Sequence, residues 1–303
     1  ALVAAGALVL VAALPSAGSS GWKLLLGQRD VLDVRRNFYG VLLITDVDAD
    51  QPAMRRTTMT HGTTLHGVQF QDAARRREAT SYYGPGSGVD VALRSARRRA
   101  DRPLRVGVVG MGAGTIASYA EAGDAVAYYE INPAVVDLGL RYFSFCSDAS
   151  QRGAEVDVTL GDARLVLQGQ LDAGQPQAFD VLVVDAFSSD AIPVHLLTDE
   201  CFALYEQHLA PGGILAFHVS NLYLDLAPVV RRLAQQHGQQ ALRVLARGDA
   251  ARATADTEWV LVCEPDVLRA DPALAPAATP WPAHATQAPL WTDDFSSLWP
   301  VLR

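Results

Sequence analysis

A short glycine cluster, Gly110-Met111-Gly112-Ala113-Gly114, divides an apolar run, Leu104-Arg105-Val106-Gly107-Val108-Val109, from a helix-like stretch that begins at Thr115. A second apolar run, Ala125-Val126-Ala127-Tyr128-Tyr129, then closes on Glu130. Strand, glycine turn, helix and a second strand ending in an acid form the pattern of a nucleotide-type site. The glycines let backbone approach a ligand closely, and the carboxylate accepts hydrogen bonds from ribose hydroxyls. The plain alternative is a glycine-rich turn in some other α/β protein.

The glycine spacing narrows the ligand. A dinucleotide fold favours G-x-G-x-x-G, whose third small residue tightens helix–strand packing beside a pyrophosphate. Here the spacing is G-x-G-x-G, with Thr115 next. That resembles S-adenosylmethionine-type enzymes more than NAD enzymes.

From Pro103 onward the pattern predicts alternating strands and helices. Strands are expected at 104–109, 125–130, 155–160, 179–185 and 212–219. Helices are expected at 115–122, 133–145, 163–170, 195–209 and 224–237. Continuous apolar strands such as Val181-Leu182-Val183-Val184 imply burial on both faces, hence a parallel sheet. Runs at 241–246 and 257–263 read as a hairpin at the sheet edge. Before this region, Leu32–Arg35, Gly40–Thr45, Met54–Met59 and Thr63–Phe70 predict a small antiparallel β element. The fold class expected is therefore α/β: a Rossmann-like, S-adenosylmethionine-dependent methyltransferase-like sheet preceded by an N-terminal antiparallel β element. The domains are expected at 21–80 (β element) and 81–265 (catalytic domain), with a tail at 266–303 packing on or near the site.

Charge and cysteines exclude several classes. The formal net charge is −8, which leaves no basic excess to neutralise phosphates, so no nucleic-acid partner is expected. The three cysteines, Cys146, Cys201 and Cys263, show neither metal-ligand spacing nor a disulfide framework, so reduced thiols in the cytosol are the default. His61 and His66 flank a turn, but without a third clustered ligand no metal is expected. The stretch Ala1–Leu14 carries no charge and is too short to span a bilayer, which needs about 20 apolar residues. Residues 1–20 read as the end of a transmembrane segment whose earlier part is missing. A signal-peptide core lacks its basic start here, and a plain buried helix is the other reading. The arginine runs Arg75–Arg77 and Arg97–Arg99 read as solvated or membrane-facing surface.

In an open parallel sheet, ligands bind beyond the carboxyl ends of the strands. The first expected end carries Gly110, Gly112 and Gly114, and the second carries Glu130. The third carries Gly161-Asp162-Ala163, where an acid beside a small residue suits an adenine amino group. Asp162 is equally suited to cap the helix that follows. The fourth carries Asp185 at the rim of an apolar core, a place to hold an ammonium or accept a proton. Asp190, five residues on, contacts substrate or caps a helix. His218 is placed near the pocket rim, and Asp293-Asp294 read as a solvated turn.

With these residues assembled, the chain resembles the spermidine synthase (polyamine aminopropyltransferase) family, and within it members fused to a membrane segment. The resemblance spans roughly residues 35–265. It rests on Asn37-Phe38-Tyr39-Gly40, Leu65-His66-Gly67-Val68-Gln69, Tyr82-Tyr83, the glycine turn, Glu130, Gly161-Asp162-Ala163 and the Asp185 loop. It implies aminopropyl transfer from decarboxylated S-adenosylmethionine, or S-adenosylmethionine, to a small amine, leaving methylthioadenosine. The nucleoside is a co-substrate, with no tightly bound cofactor. The resemblance implies that Gln69 contacts the nucleoside, Glu130 the ribose, and Asp162 and Ala163 the adenine. It implies Asp185 as the base, aided by a hydroxyl of Tyr82 or Tyr83, with His66 lining the site. A homodimer is expected, as is a cytoplasmic catalytic domain attached to an inner or plasma membrane.

Three departures bear on the substrate. The family carries an acid in the glycine turn where this chain has Ala113. Its L-D-G-x-x-Q becomes Leu65-His66-Gly67-Val68-Gln69, one residue shorter. The acid after its tyrosine is absent at Tyr82-Tyr83-Gly84. The lost acids are expected to change the donor, the acceptor or both. The alternatives are a cyclase or lyase using no external acceptor, a methyltransferase, and a non-catalytic ligand-sensing domain.

Overall fold

The computed structural model describes residues 29–62, 64–186, 193–282 and 288–303. Ala1–Leu14 and Asp190, both singled out above, lie outside the described residues.

The β-rich N-terminal runs form a four-stranded antiparallel sheet, as expected. It comprises β1 (Arg29–Asn37), β2 (Gly40–Val47), β3 (Arg56–His61) and β4 (Thr64–Phe70), paired in sequence order. Leu42, Ile44, Met59 and Phe70 are buried, while Val34 and Val41 stay exposed on the other face. The β1–β2 hairpin turns at Phe38-Tyr39, where the Asn37 side-chain oxygen accepts the Tyr39 amide at 3.0 Å.

Seven strands make the second sheet: β5 (Arg105–Val109), β6 (Ala125–Glu130), β7 (Glu155–Leu160), β8 (Phe179–Val184), β9 (Leu209–His218), β10 (Gln240–Ala246) and β11 (Thr257–Cys263). Their order is β10-β11-β9-β8-β5-β6-β7. β5 to β9 pair in parallel, while β11 runs antiparallel to β9 and β10 antiparallel to β11. The late hairpin therefore sits at the sheet edge, as its sequence implied.

Alternate residues of each central strand feed two cores. Val106, Val108, Val181 and Val183 pack with α1 (Gly88–Arg99), α2 (Pro133–Tyr142) and α3 (Phe145–Gln151). Val109, Leu182, Val184 and Phe217 pack with α4 (Ala163–Asp172), α5 (Asp199–Gln207) and α6 (Ala227–Gln236). Burial on both faces explains why β8 is wholly apolar. β5 lies between β6 and β8, so the chain order reverses there and opens a crevice at the strands' carboxyl ends.

Several elements differ from the expectations. α1 has a sequence signal that the hydrophobic pattern alone misses. Ser87 caps it by accepting the Asp90 amide, while Asp90 accepts the Gly86 amide at 2.8 Å. The arginines of its last turn are not simply solvated surface. Arg97 pairs with buried Asp124, Arg98 with buried Asp271 at 2.6 Å, and Arg99 donates to the Gly212 carbonyl at 2.8 Å. Arg76 likewise reaches buried Asp148 at 2.6 Å. The stretch from Thr115 is a short 3-10 turn, Thr115–Tyr119, rather than an α-helix. The buried Tyr128 hydroxyl accepts the Ala117 amide at 2.9 Å and donates to the Gly114 carbonyl at 3.0 Å, satisfying the turn from the side. Among the described residues no helix is long and apolar enough to cross a membrane.

Candidate active site

A cavity of about 290 Å³ opens at the carboxyl ends of β5, β6, β7 and β8. Gly110 and Gly112 form its floor, and Glu130, Asp162 and Asp185 stand around it. His61 and His66 close it from the N-terminal sheet, with Tyr39 from the hairpin tip. None of the described lining residues is Lys or Arg. Three carboxylates without a fixed cation suit a positively charged ligand and oppose a pyrophosphate.

The glycine turn is shaped by protein as much as by ligand. Gly110 has φ 90°, and a Cβ there would stand 2.3 Å from the Asp185 carbonyl oxygen. Gly112 has φ 53°, and its Cβ would stand 2.7 Å from the His66 carbonyl oxygen. Both are left-handed positions with no room for a side chain. The turn is thus clamped between the end of β8 and strand β4, which brings Asp185 and His66 to one place. Gly114 does not line the cavity, because it packs on the Cys146 sulfur.

Glu130 organises the floor. One carboxylate oxygen accepts the Met111 amide at 2.8 Å and the other the Asn132 amide at 2.8 Å. Burial raises its pKa, and these backbone donors oppose the rise. Asn132 follows it, with its oxygen taken by Asn37 at 2.6 Å and Ala134 at 3.0 Å. Its side-chain Nδ2 is buried without a hydrogen-bond partner at the cavity wall.

Asp162 fills both roles offered for it. Its Oδ1 accepts the Leu165 amide at 3.1 Å, capping α4, while the residue lines the cavity. Its Oδ2 lies 3.0 Å from His195 Nε2, in a 3-10 turn (Val194–Leu196) where the sequence pattern predicts the start of a longer helix. Ala163 also lines this end. Nearby, Asp293 and Asp294 lie on an exposed turn, as expected, and from it Asp293 pairs with Arg164 and accepts the Thr198 hydroxyl at 2.9 Å, tying the tail to α4.

Asp185 follows β8 with its side chain 4% exposed. The Tyr83 hydroxyl donates to its Oδ2 at 2.5 Å, and His218 Nδ1 lies 2.8 Å from Oδ1. Burial pushes the Tyr83 pKa well up, and the nearby Asp185 charge adds to it, so the phenol stays a donor. Tyr83 and Tyr82 do not line the cavity: Tyr83 backs Asp185, and Tyr82 stacks on His218 with ring centroids 4.3 Å apart. His66 does line it. Burial pushes its pKa down to about 4, so the imidazole is neutral, and its Nε2 is buried without a partner.

Gln69 takes a different role from the one the motif implied. Its amide donates to the Arg76 carbonyl and the Ser144 hydroxyl, both at 2.9 Å, and its oxygen accepts the Ser144 amide at 2.9 Å. With these groups committed, it fastens β4 to the start of α3 and lies off the cavity. Tyr39, Asn132 and His195 are lining residues that the pattern reading did not assign. Asn37-Phe38-Tyr39-Gly40 was a motif for resemblance, and its hairpin geometry is what carries Tyr39 inward. Among the described residues no group of three or more His, Cys, Asp or Glu could hold a metal ion.

No protein-family model matches the chain. Over 130 residues it is 32% identical to a polyamine aminopropyltransferase of Vibrio vulnificus, a match covering 40% of this chain and 40% of that protein. Over 166 residues it is 28% identical to a probable polyamine aminopropyl transferase of Bifidobacterium longum, covering 52% of this chain and 32% of that protein. The chain thus spans less than half the length of these curated relatives. A probable spermidine synthase from Corynebacterium glutamicum shares the fold with TM-score 0.57 and 17% identity, over 77% of this chain and 79% of that one. The motif-based resemblance to the spermidine synthase family is borne out by the sequence similarity, and the structural likeness bears out the fold. The fold is the expected α/β one, a mostly parallel sheet with a small antiparallel N-terminal sheet.

Proposed function

We propose that this protein transfers an aminopropyl group from decarboxylated S-adenosylmethionine to a small amine, releasing methylthioadenosine. One observation carries the reading. Asp185, held at both oxygens, faces the same cavity as Glu130 and Asp162, with no Lys or Arg among the described lining residues. In this reading Glu130 binds the ribose hydroxyls and Asp162 the adenine amino group, beside the small Ala163. The glycine floor, Gly110 and Gly112, lets the nucleoside lie close, and Asn132 Nδ2 gains a partner.

The reaction follows from this placement. The amine lone pair attacks the carbon next to the sulfonium. The carbon–sulfur bond breaks with its electrons returning to sulfur, which leaves as a neutral thioether. The amine nitrogen gives up a proton to Asp185, whose carboxylate also positions it for in-line attack. The sulfonium is a good leaving group, so no metal is needed. Tyr83 orients Asp185 by donating to Oδ2. His66 supplies a neutral polar group where the resembled family has an acid, which fits an altered substrate.

The reading takes 21–80 and 81–265 as the two structural units and 266–303 as the tail. It extends to a homodimer and to a cytoplasmic catalytic domain attached to a membrane. Exposed Val34, Phe38 and Val41 on the N-terminal sheet and hairpin support an association surface. The test is product analysis by mass spectrometry, with decarboxylated and intact S-adenosylmethionine offered separately against a panel of di- and triamines. Methylthioadenosine together with an aminopropylated amine is the expected result.

A further inference from the structure

Behind Asp185 lies a network that reaches a second surface of the protein. His218 ends β9 and is 6% exposed. Its Nδ1 lies 2.8 Å from Asp185 Oδ1, and its Nε2 lies 2.9 Å from Ser220 Oγ. The ring stacks on Tyr82 at an interplanar angle of 14° and packs on Trp259 with centroids 4.8 Å apart. His218 does not line the ligand cavity, and Ser220 opens on a separate cleft with Asn221, Arg247 and Arg303.

The partners fix the proton on this histidine. Ser220 Oγ accepts the Glu258 amide at 2.8 Å. Its other acceptors, Thr257 Oγ1 and the Glu258 carbonyl, are both at 3.4 Å, so its hydrogen is best directed at His218 Nε2. Nε2 then accepts, the ring proton sits on Nδ1, and Nδ1–H donates to the Asp185 carboxylate.

We infer that His218 is a positioning residue that holds Asp185 aimed at the amine, with Ser220 setting its tautomer from outside the cavity. The inference rests on Asp185 being the base of the proposed reaction. Tyr83 and His218 divide the two oxygens between them, so the carboxylate cannot rotate without losing a charge-assisted hydrogen bond. Tyr82, from the segment before α1, also faces His218. Glu258 on β11 directs its carboxylate to Arg243 at 2.6 Å and Arg303 at 3.2 Å instead.

The test uses the full chain and three variants. His218→Phe keeps a ring but no donor. His218→Asn places an amide N–H near the Nδ1 position. Ser220→Ala frees the tautomer. Losing one hydrogen bond to a charged group is expected to lower kcat roughly ten- to hundredfold in His218→Phe, with methylthioadenosine affinity changed less than about twofold. His218→Asn is expected to recover most of kcat. Wild-type kcat in His218→Phe, or His218→Asn as poor as His218→Phe, would overturn the inference. Nitrogen NMR of His218 gives a readout independent of turnover. The Nδ1–H tautomer is expected at neutral pH, mixed in Ser220→Ala, and an Nε2–H tautomer in the wild type contradicts it. A wild-type protein with no amine-dependent turnover contradicts the proposed function instead, while the NMR result still decides the tautomer.

Discussion

Ala113 and Gly67 are in direct contact: a Cβ built on Gly67 would stand 2.2 Å from the Ala113 Cβ. Strand β4 therefore lies on the glycine turn and fills the space that a longer side chain at 113 would need. The missing acid and the glycine of the His66-Gly67 pair are one packing arrangement rather than two separate departures. Gly67→Ala is expected to cost about 1–3 kcal/mol through overpacking. Ala113→Asp is expected to cost more, because the added carboxylate would be buried without a partner. Denaturant unfolding would register both, and an unchanged midpoint in either variant would mean that β4 can lift off the turn freely.

Glu130 has two tasks, and its variants separate them. Its carboxylate ties Met111 and Asn132 amides together, and by the proposed reading it also takes the ribose. Glu130→Ala is expected to weaken methylthioadenosine binding by at least about tenfold, since each hydrogen bond to a charged acceptor contributes about 1.5–3 kcal/mol. It also lowers stability by leaving two buried amides unsatisfied. Calorimetric titration with methylthioadenosine checks the first effect. Unchanged affinity would move the ribose contact to another residue.

His66 predicts acid sensitivity. A free histidine titrates near 6.5, and burial lowers this one to about 4. Between these values the unfolded chain binds a proton that the folded chain excludes. Stability is therefore full above about 6.5 and falls as pH drops toward 4, by at most about 1.4 kcal/mol per pH unit. Below about 4 this loss levels off. Thermal unfolding across this window is expected to show the decline, and His66→Gln is expected to flatten it. An identical decline in His66→Gln would place the sensitivity in other groups.

The nucleoside end is expected to respond separately from the amine end. Asp162 bridges the α4 amide at Leu165 and His195. Asp162→Ala is expected to cost about 1 kcal/mol of stability through the lost cap, and to weaken binding of methylthioadenosine more than that of its ribosyl fragment lacking adenine. Equal loss for both ligands would argue that the aspartate only supports the wall.

Much of this architecture is legible in the sequence because it depends on short-range pattern. Val181–Val184 is apolar throughout because both faces are buried, and its strand must then release a polar residue at the crevice, Asp185. Glu130 is legible in a similar way, while Asp162 follows the exposed edge strand β7 and is legible as the cap of the helix after it. What was not legible depends on partners distant in the chain. Gln69 reads as a ligand contact until Ser144 takes both ends of its amide. Gly114 reads as part of the floor until Cys146 is found against it. Arg97 reads as surface until Asp124 is found buried beneath it. Helix α1 was missed for a different reason: its signal lies in the Ser87 and Asp90 cap rather than in a long apolar stripe.

Asp185 carries the central claim, and one comparison tests it most directly. Amine-dependent release of methylthioadenosine would be measured for the wild type and for Asp185→Asn, alongside the affinity of each for methylthioadenosine. The account predicts release by the wild type only when an amine is present. It predicts a fall of roughly a hundredfold or more in kcat for Asp185→Asn, as expected for loss of a general base, with nucleoside affinity close to the wild type. Release without any amine, methyl transfer in place of aminopropyl transfer, or an Asp185→Asn variant that turns over like the wild type would contradict it.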